Sequence, residues 1–288
     1  MPNPQTLAEK LGVRPSPDSG QHFLVDEKVL ERIIIAAAPK KNENILEIGP
    51  GFGVLTRALA GRGANVVAVE FDRKLAHYLS NEFGASKPVR VIQGDILSFS
   101  NQEIAAWFNK EPYRVVSNIP YHITGRIIKK FVSSELPKPA GLVLLVQKEV
   151  AERVCAAPGD LSLLGLSVQL YAKPSIAFNV PREAFWPEPR VDSALLVIDD
   201  VSAIPNHPLI PSLIKEGKVI DEKRFWQISH IGFASPRKQL RNNLAAGLSL
   251  PQDAIKKALK QSKLPETARA QELSIPDWIR LVGALGKT

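Results

Sequence analysis

The sequence predicts an α/β domain on a mostly parallel, seven-stranded sheet, followed by a small all-α domain. Three observations predict it. Seven apolar, β-rich runs lie between about residues 44 and 198, with helical patterns between them. The runs are apolar throughout rather than alternating, as in strands covered on both faces. Beyond residue 211 only helix-like segments punctuated by Pro or Gly remain.

Taken in order, the strands are "NILEIG", "NVVAVEF", "VRVIQGD", "YRVVSNI", "GLVLLVQ", "SIAFNV" and "ALLVI". "VLTRALAGRG" and "RKLAHYLSNEF" are helical stretches between them. The last two strands are joined by the Pro-rich "VPREAFWPEPRVD" with no helix, which reads as a terminal antiparallel hairpin. "IPNHPLIP" then breaks the pattern with three prolines. The expected boundaries are a first domain over 1–200, a linker over 201–211 and a helical domain over 212–288. Its helices are "KRFWQISHIGF", "PRKQLRNNLAAG", "PQDAIKKALKQS" and "SIPDWIRLVGALG".

Bulk properties narrow the function classes. No apolar run approaches the roughly 20 residues that span a bilayer, and "MPNPQTLAEK" has no apolar core of a signal peptide. A cytoplasmic protein is expected. Cys155 is the single cysteine, so no internal disulfide and no metal site are expected. The net charge of +8 is uneven: residues 201–288 hold 14 Lys/Arg against 7 Asp/Glu, and residues 1–200 hold 23 against 22. A polyanionic partner and a solvated basic helical face both account for that excess.

Ligands of open α/β sheets bind at the carboxyl ends of the strands, so the residues just past each strand matter most. After the first comes "EIGPGFG", with Glu47 ahead of Gly49, Gly51 and Gly53. Glycines there let the backbone turn tightly and approach a ligand. The second strand ends at Glu70, about 20 residues on, where an acid meets a ribose hydroxyl pair. A dinucleotide site expects a third glycine where Val54 stands; the observed spacing fits S-adenosylmethionine better. A plain strand-to-helix turn remains the bland alternative. Asp95, after the third strand in "GDIL", suits an adenine amine or a helix cap.

The fourth strand ends in Asn118-Ile119-Pro120-Tyr121. An exocyclic adenine amine is a poor nucleophile because its lone pair is delocalised into the ring. Two acceptors aimed at its N–H bonds favour a pyramidal nitrogen and stabilise the charge that grows on it. Asn118 offers a side-chain carbonyl and Ile119 a backbone carbonyl. Pro120 fixes the turn, and Tyr121 offers a face on which a base stacks. In isolation the tetrapeptide is better explained as a plain strand-ending turn; after a fourth strand and a nucleoside-binding loop the pocket is the better reading. Gln21 and His22, in "SGQHFL" ahead of the expected first helix, are placed to close over the cofactor. Phe185 is placed to stack on the base opposite Tyr121, or to pack in the core.

Together these motifs resemble the ribosomal-RNA adenine N6,N6-dimethyltransferase family of the small-subunit type. The resemblance runs in order through "GQHFL", "EIGPGFGVLT", "VEFD", "GDIL", "NIPYHIT", "LVQKEVAERV", "FWPEPRVDSALL" and "PRKQLRNNL". It implies a Rossmann-like class I methyltransferase domain with S-adenosylmethionine as donor. It implies cofactor contacts at His22, Leu24, Gly49, Gly51, Glu70, Asp95 and Asn118, and base contacts at Asn118, Ile119, Pro120, Tyr121 and Phe185. The implied partner is small-subunit rRNA in the assembling subunit, reached through Arg237, Lys238 and Arg241, with two adjacent adenines of the terminal hairpin loop each methylated twice. No membrane partner and a monomeric state are expected. The chain departs from the family in "RPSPDSGQHFL", where basic residues are usual, in His22 for Asn and in Ile119 for Leu. Three alternatives stand beside this reading: a large-subunit enzyme of the macrolide-resistance type, a non-catalytic ribosome-assembly factor, and an NAD-dependent dehydrogenase.

Overall fold

The computed structural model describes residues 3–15, 20–84, 88–133, 135–201 and 221–286. Its strands are β1 (Phe23–Leu24), β2 (Asn44–Ile48), β3 (Asn65–Glu70), β4 (Val89–Gln93), β5 (Tyr113–Asn118), β6 (Leu142–Gln147), β7 (Lys173–Val180), β8 (Phe185–Trp186) and β9 (Ser193–Asp199). Seven form one sheet in the order β4-β3-β2-β5-β6-β9-β7. Strands β2 to β6 are parallel to their neighbours among themselves, and β9 runs antiparallel to both β6 and β7. All seven expected strands are present, with the expected hairpin at the end. The remaining two, β1 and β8, pair antiparallel as a separate ribbon, an addition to the expected sheet.

Strand order reverses between β2 and β5, and this opens the crevice where ligands of such sheets bind. The paired register of these strands stops at Leu46 and Val115. Beyond it the Ser117 hydroxyl takes over, accepting from the Ile48 N–H at 3.2 Å and donating to the Ile48 carbonyl. The strands therefore stay tied while their backbones part.

The helices that accompany the sheet are α1 (Pro4–Leu11), α2 (Glu27–Ala37), α3 (Val54–Gly61), α4 (Arg73–Phe83), α5 (Asn101–Ala106), α6 (Thr124–Phe131) and α7 (Lys148–Cys155). One core cluster joins α2, α3 and α4 to the sheet through Val29, Ile33, Leu55, Leu59, Leu79 and Val66. Asp26 and Asp72 cap α2 and α4, each accepting two backbone N–H bonds. Among the described residues no helix is long and apolar enough to cross a membrane.

The chain divides into two compact units. One comprises Met1–Glu152 and Lys173–Val201; the other comprises Arg153–Ala172 and Ser202–Thr288. The expected linker falls almost entirely outside the described residues. The second unit holds α8 (Leu163–Gln169) and the four expected helices: α9 (Glu222–Gly232), α10 (Leu240–Leu248), α11 (Gln252–Gln261) and α12 (Ile275–Leu285). The expected boundary assigns 153–172 to the sheet domain. Specific bonds draw the segment to the C-terminal helices instead. Tyr171 donates its hydroxyl to the Glu222 carboxylate, and the Trp226 indole N–H lies 3.3 Å from both oxygens. The Gln271 side chain donates to the Gly159 carbonyl at 2.7 Å, and its backbone carbonyl accepts from the Gly159 N–H at 2.8 Å.

Replacing Tyr171 by Phe removes the hydroxyl that donates to Glu222 and accepts from Trp226, and should destabilise the second unit by about 1–2 kcal/mol. Denaturant unfolding monitored by the fluorescence of Trp226, whose ring stacks on Tyr171, measures it. An unchanged midpoint would show that the segment is held by packing alone.

Candidate active site

A pocket of about 800 Å³, mouth included, opens at the carboxyl ends of β2, β3 and β5. Gly20, Gln21, His22, Leu24, Glu47, Gly49, Gly51, Glu70, Asn118, Ile119, Pro120 and Tyr121 all line it. Most of the residues predicted for cofactor and base therefore converge on one cavity; Asp95 and Phe185 are not among its lining residues.

The glycine loop is shaped for close approach. Gly51 has φ +58°, and a Cβ there would stand 2.8 Å from the Phe23 ring. Its N–H donates to Glu70 Oε2 at 3.0 Å, while Asp72 N–H donates to Oε1 at 2.9 Å. Two backbone donors thus hold the Glu70 carboxyl at the end of β3. Gly53 serves packing instead: a Cβ on it would meet Leu79 at 2.6 Å.

The turn after β5 is bound to the segment before β1. Asn118 Nδ2 donates to the His22 carbonyl at 3.0 Å. Because a carbonyl can only accept, this bond commits Nδ2 as the donor and leaves Oδ1 as the acceptor of a side chain that lines the cavity. Ile119 is buried, and its N–H donates to the Leu145 carbonyl at 3.2 Å. What it can offer the pocket is its own carbonyl. Gly20 has φ +67° and packs so closely on the turn that a Cβ would lie 2.7 Å from the Tyr121 nitrogen. Tyr121 is held at both ends: its hydroxyl is 2.6 Å from Ser193 Oγ, and its ring stacks on His22 at 5.2 Å between centroids. His22 Nδ1 in turn lies 2.6 Å from the Pro187 carbonyl.

Several expected residues are placed differently. Phe185 is 4% exposed and belongs to the core cluster with Leu24, Val180 and Leu195. Pairing of β8 with β1 explains this: Leu24 and Phe185 share the inward face, so Phe23 and Trp186 take the outward one and stack at 6.3 Å. Asp95 caps a short 3-10 turn, its Oδ1 accepting from Leu97 N–H at 2.9 Å. In the second unit Arg237 and Lys238 are exposed, whereas Arg241 is partly buried and lies 3.6 Å from Glu266.

Two features escape the sequence patterns used above. Helix α1 lies ahead of "SGQHFL", the segment expected to precede the first helix. It brings Pro4 to the pocket and packs Ala8 with Phe52 and Leu75. Asn3 as N-cap, Pro4 at the first position and Gly12 at the C-cap are its sequence signals. Phe71, directly after Glu70, is 74% exposed at the end of β3; an apolar residue just past a strand end is its signal.

Electrostatically the pocket is costly. Glu47 is 2% exposed and Oε2 has no partner among the described residues. Burial pushes its pKa up to about 8; Thr56 pulls it down, and the charge of Glu70 adds to the rise. Burial likewise pushes Glu70 up to about 7, against the backbone donors of Asp72 and Gly51.

The profile of the family described as Ribosomal RNA adenine dimethylase matches residues 14–287. The chain belongs to that family. Among curated relatives, the Ribosomal RNA small subunit methyltransferase A of Dehalococcoides mccartyi strain 195 is 38% identical over 96% of this chain and 91% of its own length. The protein of the same name from Nostoc sp. PCC 7120 is 38% identical over 95% of this chain and 99% of its own. Among solved structures, a dimethyladenosine transferase from Plasmodium falciparum aligns over 90% of this chain and 96% of its own, with TM-score 0.68 and 25% identity. The 23S rRNA methyltransferase ErmE aligns over 92% of this chain and 99% of its own, with TM-score 0.67 and 24% identity, a likeness of fold.

The raised carboxyl pKa values have a defined sign. A folded-state pKa above the ordinary 4.5 means that the folded protein binds more protons than the unfolded chain between that value and about 8. The stability contribution is present at low pH and lost as pH rises through this window. Thermal melting of the cofactor-free protein should show Glu47→Gln gaining on the parent between pH 5 and pH 9. Parallel curves would mean that Glu47 titrates normally.

Proposed function

We propose that this pocket transfers methyl groups to N6 of adenine, twice on each of two adjacent adenines in the terminal hairpin loop of small-subunit rRNA. The protein would act as a monomer in the cytoplasm, on the assembling subunit. The chain is a ribosomal RNA adenine methyltransferase that uses S-adenosylmethionine. The small-subunit names of both curated relatives favour that target over the large subunit. The observation that carries the chemistry is the fixed amide of Asn118, whose nitrogen is committed to the His22 carbonyl.

The pocket's residues suit the cofactor. Gly51 lines the pocket with its backbone packed against the Phe23 ring, and Glu70 is presented by two backbone N–H groups where a ribose hydroxyl pair would lie. Glu47 keeps a buried carboxyl oxygen without a partner for a donor group. His22, Leu24, Gly49 and Gly51 form the walls. When bound, S-adenosylmethionine supplies a methyl group already activated by its sulfonium. The protein's task is then placement.

Asn118 Oδ1 and the Ile119 carbonyl accept the two N–H bonds of the target amine, and Tyr121 stacks on the base. Both acceptors are fixed before the substrate arrives, so they stabilise the positive charge growing on N6 without reorganising. Tyr121 is a poor base here, because burial raises its pKa and its hydroxyl is engaged by Ser193. The proton on the methylated nitrogen leaves to water. The monomethylated amine keeps one N–H, which one of the two acceptors can still hold, so it can return for a second transfer.

Nucleoside mass spectrometry on unmethylated small- and large-subunit ribosomal material tests the target. Dimethyladenosine in small-subunit RNA alone is expected; product in large-subunit RNA alone would overturn the assignment. Asn118→Ala should cut methyl transfer about 100- to 1000-fold and change the affinity for S-adenosylhomocysteine far less. Unchanged transfer would refute the acceptor role. Removing the charges of Arg237 and Lys238 should weaken RNA binding and flatten its salt dependence; the same change at Arg241, which is engaged with Glu266, should matter less to the slope.

A further inference from the structure

The sheet-bearing unit carries a cationic surface of its own, beside the pocket. The short 3-10 turn Tyr121–Ile123 leads into α6. His122, Gly125, Arg126 and Lys129 are all exposed, and the helical repeat places them along one stripe. The opposite face, with Thr124, Ile127, Ile128 and Phe131, is buried. The stripe thus begins at the residue next to Tyr121 and runs away from the pocket mouth.

Three properties of this stripe suit a polyanionic strand, the first of them shared with exposed cations such as Arg62 and Lys110, for which no ion pair is found among the described residues. First, several long cations of the same unit are engaged: Arg57 with Glu82 at 2.5 Å, Arg114 with Glu43 at 2.5 Å, and Lys173 with Asp200 at 2.6 Å. Even Lys130, next door, donates to the Phe99 carbonyl. Among the described residues, no ion pair or hydrogen bond holds the side chain of Arg126 or Lys129. Second, Arg126 lies in the first turn of α6, where the helix dipole disfavours a cation. That turn has no acidic residue and no side-chain cap to offset it. The charge of Arg126 therefore opposes helix stability, whereas Lys129 lies in the last turn, where a cation is favoured. Third, Gly125 opens the surface: a Cβ there would meet nothing within 4 Å. A bulky, charged strand can lie across this turn without obstruction.

Resting on the reading of an RNA substrate, we propose that the stripe His122–Gly125–Arg126–Lys129 is the track for the RNA backbone flanking the target adenosine. Arg126 and Lys129 each neutralise one phosphate there. The track holds the strand while the base enters the pocket, and it acts separately from the basic helices of the second unit. Electrostatic contacts of this kind position the strand and read no sequence. They contribute to KM for RNA and to its salt dependence, and leave the chemical step alone.

The test is the double variant Arg126→Gln, Lys129→Gln, with methyl transfer to unmethylated small-subunit particles measured over a range of salt. A control variant, Arg62→Gln with Lys110→Gln, removes two exposed cations that precede β3 and β5, at the other end of the strands. The double variant should raise KM for RNA and flatten the slope of log KM against log salt by about 1.4, at about 0.7 for each single-strand phosphate. Its kcat and its affinity for S-adenosylhomocysteine should match the parent, which also shows that it is folded. The control should leave the slope unchanged. A slope equal to the parent's, or a loss no greater than the control's, overturns the track. If the parent itself methylates no RNA, the reading of the substrate fails instead.

Discussion

A single hydrogen bond organises the site: the Asn118 amide donates to the carbonyl of His22, 96 residues earlier in the chain. It joins the segment before β1 to the turn after β5, and it leaves the Asn118 oxygen one direction in which to point. The neighbouring bonds depend on that junction. His22 reaches the Pro187 carbonyl, Tyr121 reaches Ser193, and Gly20 lies against the Tyr121 backbone. Stretches distant in sequence thus meet at one short turn. Acceptors held this way need no rearrangement when charge develops in front of them.

Such pre-positioning is accompanied by local cost. Two carboxyl groups are buried side by side at the ends of β2 and β3, one of them with an oxygen that no described residue satisfies. Gly20, Gly49, Gly51 and Gly53 all adopt positive φ in or next to the pocket. A site of this kind is stable because the strands behind it are firmly packed: Ile45, Leu46, Val115 and Val116 are fully buried, and β2 and β5 pair in fixed register. Firm packing behind the site offsets the cost of the buried carboxyl groups at its edge.

Much of this is legible in the sequence. The seven strands are visible because continuous apolar runs have few other uses in a chain of this composition. The pocket residues are visible because ligands gather at the carboxyl ends of such strands. What the sequence hides depends on partners far away along the chain. The β1–β8 ribbon has two residues on each side, too short for any periodicity, and its pairing decides that Phe185 faces the core. That Asp95 caps a turn depends on the fold of the next three residues. Arg241 looks like part of a basic run, yet Glu266 stands beside it in space. The adherence of 153–172 to the C-terminal helices rests on bonds such as Tyr171 to Glu222, which no local pattern announces.

The discontinuity of the second unit has a consequence for synthesis. Its first segment, Arg153–Ala172, leaves the ribosome well before the helices that complete it. Until Glu222 and Gln271 emerge, Tyr171 and the backbone around Gly159 have none of the partners described above. Domains generally fold as units during elongation, so the sheet-bearing unit can close first, looping this hairpin of chain outward as it does. Helix α12 buries Trp278, Ile279, Leu281 and Val282. Without it the second unit lacks that apolar layer.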